Sequence, residues 1–262
     1  MYEWFMTLPV WLIALLVGGF CCVCTSLGAA SVFFCKKLNS KYISALLSFA
    51  GGIMIASSFF SLILPALEFC ENVVWQEIVF VVCGFLAGVV FIVLTNILFD
   101  KKFAGCCNLG KKRKSVLVAT SITLHNIPEG MAVGVAIGGA LVAADASLLV
   151  AAVALGIGIG LQNIPEGASV ALALRCEGKS RTKSFFAGVC SGVVEPIFAC
   201  VASVITVYVL SVLPMFLAFS AGAMMIVAIT ELVPEALESH KLLAVSFLAL
   251  GFAVMALLDI IL

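Results

Sequence analysis

Two segments of the sequence repeat the run Asn-Ile-Pro-Glu-Gly and place metal-ligating side chains inside apolar stretches. We call them the first and second NIPEG segments; they read LHNIPEGMAVGVA at residues 124–136 and LQNIPEGASVALA at residues 161–173. Each offers ligating side chains at positions i, i+1 and i+4: His125, Asn126 and Glu129, then Gln162, Asn163 and Glu166. Residues three and four apart share a helix face. Two metal ions, bridged by the glutamates, could therefore fit between two such helices.

The composition identifies an integral membrane protein. Of the 262 residues, 64% are hydrophobic and only 11% are charged, whereas soluble domains are about half apolar and a quarter charged. The net charge is zero, which gives no electrostatic reason to expect nucleic acid as a partner. The first basic residue is Lys36, so the N-terminus lacks the basic region of a cleaved signal peptide and its apolar stretch is predicted to remain as a span.

The cysteines do not indicate a disulfide framework. There are eleven of them, and an odd number scattered through apolar stretches is not typical of a disulfide-bonded scaffold. Cys106 and Cys107 lie in a lysine-rich loop without a histidine nearby. Two thiols alone are a weak metal signal, so we interpret them as non-ligating residues.

The apolar stretches predict eight membrane-spanning helices, because a helix needs about 20 apolar residues to cross the bilayer. The division between spans 6 and 7 depends on Ser211 and Pro214, since the uncharged run 196–230 is too long for one crossing. The whole chain, residues 1–262, is then a single all-α transmembrane domain. Spans 1 to 8 are predicted at residues 8–34, 42–67, 74–99, 115–140, 146–174, 184–210, 213–237 and 242–261.

The basic residues predict the orientation. All 14 lysines and arginines fall in loops on one side of the predicted membrane, including the longest loop, residues 100–114. By the positive-inside rule that side is cytoplasmic. We therefore expect a multi-pass protein of the plasma membrane with both termini outside.

Four acids lie well inside the predicted spans: Glu129, Glu166, Glu195 and Glu231. A charged side chain at a helix centre costs roughly 2.5–3.5 kcal/mol on insertion scales. No lysine or arginine accompanies these acids inside the spans, so protons, water or a cation must offset the cost. The missing basic partner predicts a cation site.

The depth of the polar residues agrees with a shared site. His125 lies about ten residues into span 4, roughly 15 Å along the helix and near the bilayer midplane. Glu195 in span 6 and Glu166 in span 5 reach a similar depth from the same side.

Pro128 and Pro165 each remove one helical hydrogen bond, which predicts a kinked or opened helix beside the polar residues. Gly130 and Gly167 are predicted to permit close approach of a neighbouring helix or a ligand.

Further polar residues mark candidate routes to and from this depth. Ser61 and Glu68 are seven residues apart and therefore share one face of span 2, and Glu68 lies at the predicted outer mouth. Asp259 lies at the outer end of span 8 and could collect cations together with Glu68. On the cytoplasmic side, Glu231 is followed by two candidate exit residues, Glu235 and His240.

These motifs resemble the ZIP family of divalent metal transporters, in its bacterial-type branch. The matching residues are both NIPEG segments, SGVVEP at residues 191–196 and ELVPEA at residues 231–236, together with the eight spans and the outward termini. The resemblance implies an arrangement of three helices, a central pair and three inverted helices. It also implies that spans 1, 4, 5 and 6 slide against a scaffold of spans 2, 3, 7 and 8, which can form a homodimer.

The resemblance implies a binuclear metal site between spans 4 and 5. The first metal would be held by His125, Glu129, Gln162 and Glu166, and the second by Asn126, Glu129, Asn163, Glu166 and Glu195. Some relatives carry an aspartate where this chain has Asn163, so the second position is expected to be the weaker one. The metal is expected as transported substrate, with zinc first and iron, manganese or cadmium as alternatives, and no catalytic cofactor is expected.

Other functions remain open from the residues alone. A metal-selective channel or an exporter would use the same site, because sequence does not set the direction of transport. An intramembrane metalloprotease is disfavoured because the chain has no H-E-x-x-H motif, so no enzymatic activity is expected. A proton-coupled carrier of organic cations would place aromatic rings around the acids, and Phe198 is the one aromatic residue close to them in sequence.

Overall fold

The structure is a computed structural model that describes the backbone of residues 7–34, 40–68, 75–104, 110–176, 178–208 and 213–261. Within these ranges it also describes most side chains, but not those of residues 99–125. The described residues are helical almost throughout and contain no strand. Eight helical segments of the described residues, some of them made of more than one helix, are long and apolar enough to cross a membrane. The prediction of an all-α, eight-span protein is confirmed.

The spans have the following bounds. Spans 1, 3, 4, 5 and 8 are single helices over Val10–Phe34, Trp75–Ala104, Gly110–Ala143, Ala146–Cys176 and Lys241–Ile261. Span 6 has two helices, Arg181–Gly192 and Val194–Tyr208. Spans 2 and 7 each contain a π-helical turn: span 2 comprises Ser40–Ser57, the turn Ser58–Ile63 and Leu64–Glu68, and span 7 comprises Leu213–Val227, the turn Ala228–Leu232 and Val233–Ser239.

The end of span 3 and the beginning of span 4 differ most from the predicted boundaries. Helices occupy much of the predicted loop 100–114, because span 3 continues to Ala104 and span 4 begins at Gly110. Lysine and arginine are good helix formers, so the helices continue past the apolar residues that define the spans in the sequence. The predicted loop residues Cys106 and Cys107 lie outside the described part of the chain.

Prolines account for the interruptions in spans 2, 6 and 7. Span 6 breaks at Val193, because Pro196 has no N–H to donate to the carbonyl of Gly192. The π turns of spans 2 and 7 precede Pro65 and Pro234 in the same way, and each closes with an i to i−5 hydrogen bond. The helices of spans 4 and 5, by contrast, continue through their internal prolines. The helices of spans 4 and 5 therefore do not end at these prolines.

The connection between spans 4 and 5 is a tight turn. Ala144 adopts a left-handed conformation with φ of 51°, and the carboxylate of Asp145 accepts hydrogen bonds of 2.7 Å from both the hydroxyl and the backbone N–H of Ser147. These two bonds hold the pKa of Asp145 below its usual range. The short turn keeps the two NIPEG segments on adjacent, oppositely directed helices.

Four pairs of spans have the most extensive contacts: 1 with 5, 4 with 6, 2 with 8 and 3 with 7. In each pair, backbones touch at glycine, where an added Cβ would overlap a backbone carbonyl of the partner helix. Less extensive contacts join span 4 to span 7 and span 2 to span 5. The glycines at the backbone contacts are Gly28 and Gly167 in the first pair, Gly130, Gly134 and Gly138 in the second, Gly52 and Gly251 in the third, and Gly84, Gly88 and Gly222 in the fourth.

Candidate metal centre

The glutamate of the first NIPEG segment is joined directly to the second segment. Gln162 Nε2 donates a hydrogen bond of 2.8 Å to Glu129 Oε1. Both side chains are fully buried. Because Gln162 and Glu129 lie on spans 5 and 4, this bond connects the two helices at the depth predicted for the site.

Glu195 of span 6 is the second point at which the helices meet. Its Oε1 accepts a hydrogen bond of 2.9 Å from Asn126 Nδ2, and its Oε2 accepts one of 2.6 Å from Asn163 Nδ2. Thr25 of span 1 adds a third donor, with its hydroxyl 3.2 Å from Oε1. The amide of Asn126 also donates to the backbone carbonyl of Ser191 at 3.0 Å. Spans 1, 4, 5 and 6 therefore converge on one carboxylate.

Six oxygens of this cluster are buried and have no hydrogen-bond partner among the described residues. A carboxylate that accepts from an amide must face its NH₂ group, so the amide oxygens of Asn126, Asn163 and Gln162 are directed away from Glu195 and Glu129. Buried polar atoms normally find a partner. The six oxygens are Asn126 Oδ1, Glu129 Oε2, Gln162 Oε1, Asn163 Oδ1 and both carboxylate oxygens of Glu166. A group of buried oxygen acceptors that no described donor reaches is suited to bind a cation.

The carboxylates do not form a metal site by themselves. Among the side chains that the structure describes, no three His, Cys, Asp or Glu residues converge on one point. Glu166 is nevertheless near enough to repel Glu129 and Glu195. Among the described side chains, further oxygen ligands beside the carboxylates can come from the amides. Candidate ligand His125 belongs to the helix of span 4, but its side chain lies outside the described part.

The two NIPEG glycines have the role that the sequence predicts. A Cβ on Gly130 would overlap the backbone of Glu195, and a Cβ on Gly167 would overlap the backbone carbonyl of Thr25. Glycine permits the close approach at both positions. Each NIPEG segment thus brings one neighbouring helix against the residues of the site.

On the side predicted to be outside, Ser61 donates a hydrogen bond of 2.8 Å to Asp259 Oδ1. These two residues are the polar members of the lining of a cavity of about 220 Å³ between spans 2, 4, 5, 7 and 8. The cavity is otherwise apolar. The side chain of Glu68, the other predicted entrance residue, lies outside the described part of the chain.

On the opposite side, Glu231 Oε1 accepts a hydrogen bond of 3.0 Å from Asn96 Nδ2 of span 3. Glu231 also lies close enough to Glu166 for electrostatic repulsion. His240 forms the C-cap at the end of span 7, and the side chain of Glu235 is not among the described ones.

Two residues that donate hydrogen bonds to glutamates inside the spans were not predicted from the sequence. Asn96 could have been noticed, because it is an amide in an otherwise apolar span. Thr25 gave no such signal, since hydroxyl side chains are common in transmembrane helices, where they bond to the preceding turn. Its role depends on where span 1 packs, which the sequence pattern does not specify.

Eight apolar spans, four of which converge on buried acids and amides, define a polytopic membrane protein with a candidate ion site. Residues 108–259, more than half of the chain, match the family described as ZIP Zinc transporter. The chain is 34% identical over 237 residues to the zinc transporter GufA of Myxococcus xanthus, covering 88% of each chain. It is 32% identical over 243 residues to the zinc transporter ZIPB of Bordetella bronchiseptica, covering 90% of this chain and 76% of the relative.

A human relative, zinc transporter ZIP11, is 40% identical over 149 residues, which cover 56% of this chain and 43% of the relative. The chain belongs to the ZIP family.

Proposed function

We propose that the protein transports a divalent transition metal, zinc before iron, manganese or cadmium, across the membrane toward the cytosol. The observation that carries this proposal is the set of six buried oxygens on spans 4 and 5 that have no hydrogen-bond partner among the described residues. Carboxylate and amide oxygens with one imidazole form a weaker zinc site than thiolates or several imidazoles. Such a site suits transport, where the metal must leave as well as bind.

The proposed site has two metal positions that share Glu129 and Glu166. The first uses His125 and Gln162 with the two glutamates. The second uses Asn126 and Asn163 with the glutamates, and Glu195 as a further ligand or as the acceptor that orients both amides. Protons compete with metal for the same carboxylates and imidazole, so apparent metal affinity falls as the pH falls.

The proposed route begins near Ser61, Asp259 and Glu68 and ends near Glu231, Glu235 and His240. Its support is the placement of Ser61 and Asp259 in the cavity on one side of the site and the electrostatic repulsion between Glu231 and Glu166 on the other. The inward direction and the outward termini rest on the one-sided distribution of basic residues.

We also propose the arrangement of three, two and three spans with the last three inverted, and a scaffold of spans 2, 3, 7 and 8 that dimerises. The packing supports the inverted repeat. An inverted repeat would match span 1 with span 6, span 2 with 7, span 3 with 8 and span 4 with 5. Under this matching, each of the four extensive pairs corresponds to another of the four. The contact of span 4 with span 7 likewise corresponds to that of span 5 with span 2. The π turns also correspond, because they lie in spans 2 and 7.

Zinc uptake into liposomes that contain the purified protein tests the proposed function. We expect the wild type to accumulate zinc with saturable kinetics, and Glu129→Ala and Glu166→Ala to lose uptake. Asp145→Asn is the control, because this acid lies in the turn between spans 4 and 5 and outside the site. Uptake by both glutamate variants at the wild-type rate would contradict the proposal, and an unsaturable, voltage-dependent current would indicate a channel instead.

A further inference from the structure

We propose that Thr25 of span 1 is a positioning residue of the metal centre, which acts by holding the carboxylate of Glu195. The proposal rests on the proposed function of that centre. It adds a residue from a fourth helix, outside both NIPEG segments and outside the motif of span 6.

The contacts of Thr25 place its hydroxyl at the carboxylate. Thr25 is fully buried, and its Oγ1 lies 3.2 Å from Glu195 Oε1 and 3.1 Å from the backbone carbonyl of Cys21. The hydroxyl has one proton for two acceptors. An ionised carboxylate is the stronger acceptor, so the proton is expected on the side of Glu195.

The backbone around Thr25 keeps the hydroxyl in this position. A Cβ on Gly167 of span 5 would overlap the Thr25 carbonyl, and a Cβ on Gly192 of span 6 would lie 2.9 Å from both Thr25 Cβ and Oγ1. Thr25 is therefore enclosed between the glycine of the second NIPEG segment and the end of the first helix of span 6. The contact with Gly167 fixes the backbone of Thr25, and the contact with Gly192 limits the rotation of its side chain.

Glu195 transmits this constraint to the ligands. Its two oxygens accept from Asn126 and Asn163, and those bonds direct the amide oxygens away from Glu195. If Thr25 no longer holds Oε1, the carboxylate can rotate and the two amides lose their fixed acceptor. The second metal position, which uses both amides, is then affected more than the first.

The matched variants are Thr25→Val, which removes the hydroxyl and keeps the shape, and Thr25→Ser, which keeps the hydroxyl. Thr206→Val is the control. Thr206 is also fully buried, packs against a glycine of span 4 and donates only to the carbonyl of Ala202. Thermal unfolding in detergent, measured for every variant, separates effects on the site from effects on the fold.

We expect Thr25→Val to lower zinc uptake roughly tenfold, the value of one hydrogen bond to a charged group, and Thr25→Ser to recover most of it. Thr206→Val should retain wild-type uptake. Because Thr25 acts through Glu195, the double variant Thr25→Val/Glu195→Gln should transport no worse than Glu195→Gln alone. Zinc titration of the purified protein should show that Thr25→Val weakens the lower-affinity binding phase and leaves the higher-affinity phase unchanged.

Three results would overturn the role of Thr25: wild-type uptake by Thr25→Val, an equal loss in Thr206→Val, or losses that multiply in the double variant. Each of them can occur while Glu129→Ala and Glu166→Ala still abolish uptake. In that case the transport function stands and only the positioning role is wrong.

Discussion

Glu129 and Glu166 occupy the same place in the two NIPEG segments, but their surroundings differ. Glu129 Oε1 accepts a hydrogen bond from Gln162, whereas neither oxygen of Glu166 has a partner among the described residues. The partner residues also differ, because His125 in the first segment corresponds to Gln162 in the second. Among the described residues, the first glutamate thus has a hydrogen-bond donor of the protein and the second has none.

The largest expected effect is therefore at Glu166. We predict that Glu166→Gln lowers zinc uptake by about a hundredfold or more, and that Glu129→Gln lowers it less. The loss is large because a buried carboxylate that neutralises a bound cation contributes several kcal/mol. Liposome uptake at saturating zinc measures both. Equal losses would mean that the hydrogen bond from Gln162 does not distinguish the two glutamates.

The next effect concerns the glycines that follow the glutamates. Gly130→Ala should displace Glu195, and Gly167→Ala should displace Thr25, because each added Cβ meets a backbone atom of the neighbouring helix. We expect roughly tenfold lower uptake and lower thermal stability in both, since overpacking costs about 1–3 kcal/mol. Gly19→Ala, where a Cβ meets nothing within 4 Å, is the control and should behave as wild type.

Gln162→His would make the second segment resemble the first. A second imidazole is a better zinc ligand than an amide, so we expect about tenfold tighter zinc binding and slower release. Calorimetry of the purified protein gives the affinity, and single-turnover uptake gives the release rate. Tighter binding together with faster transport would show that release from this position does not limit the cycle.

Asn163→Asp should have the smallest effect on uptake at neutral pH, about threefold in either direction. The aspartate adds a negative charge to the second metal position but loses the 2.6 Å hydrogen bond to Glu195. The two adjacent carboxylates would compete for a proton when no metal is bound. Zinc affinity should therefore decrease more steeply below neutral pH than in the wild type, and a parallel pH profile would contradict this.

The fold class and the site were predictable to different degrees. The eight spans follow from the lengths of the apolar stretches, and the cluster follows from acids without basic partners at one depth. The π turns were not predicted, because a proline such as Pro65 specifies that one hydrogen bond is lost but not how the helix compensates. The hydrogen bonds of Glu195 to three helices depend on the rotation of each helix about its axis, which apolar stretches without a clear polar face do not define.

The amides show the same limit within the site itself. The spacing of Asn126 and Glu129 predicts a shared face, and this holds for the helix. It does not predict that Asn126 donates to Glu195 on span 6 instead of pairing within its own helix. Such contacts between helices come from packing at Gly130 and Gly134, which the sequence marks only as small residues.

The glycine contacts indicate which helices can slide past one another and which cannot. Within the pairs of spans 1 with 5, 4 with 6, 2 with 8 and 3 with 7, backbone meets backbone at glycine, and a displacement there would drive carbonyls into Cα atoms. Between the group of spans 1, 4, 5 and 6 and the group of spans 2, 3, 7 and 8, glycines meet side chains instead: Gly139 faces Leu213, and Gly158 faces Met255. Side chains can change rotamer as helices slide past one another. We therefore expect any relative motion to occur at the contacts where glycines meet side chains. The group of spans 1, 4, 5 and 6 would then move as one body, and the geometry of the candidate metal centre within it would not change.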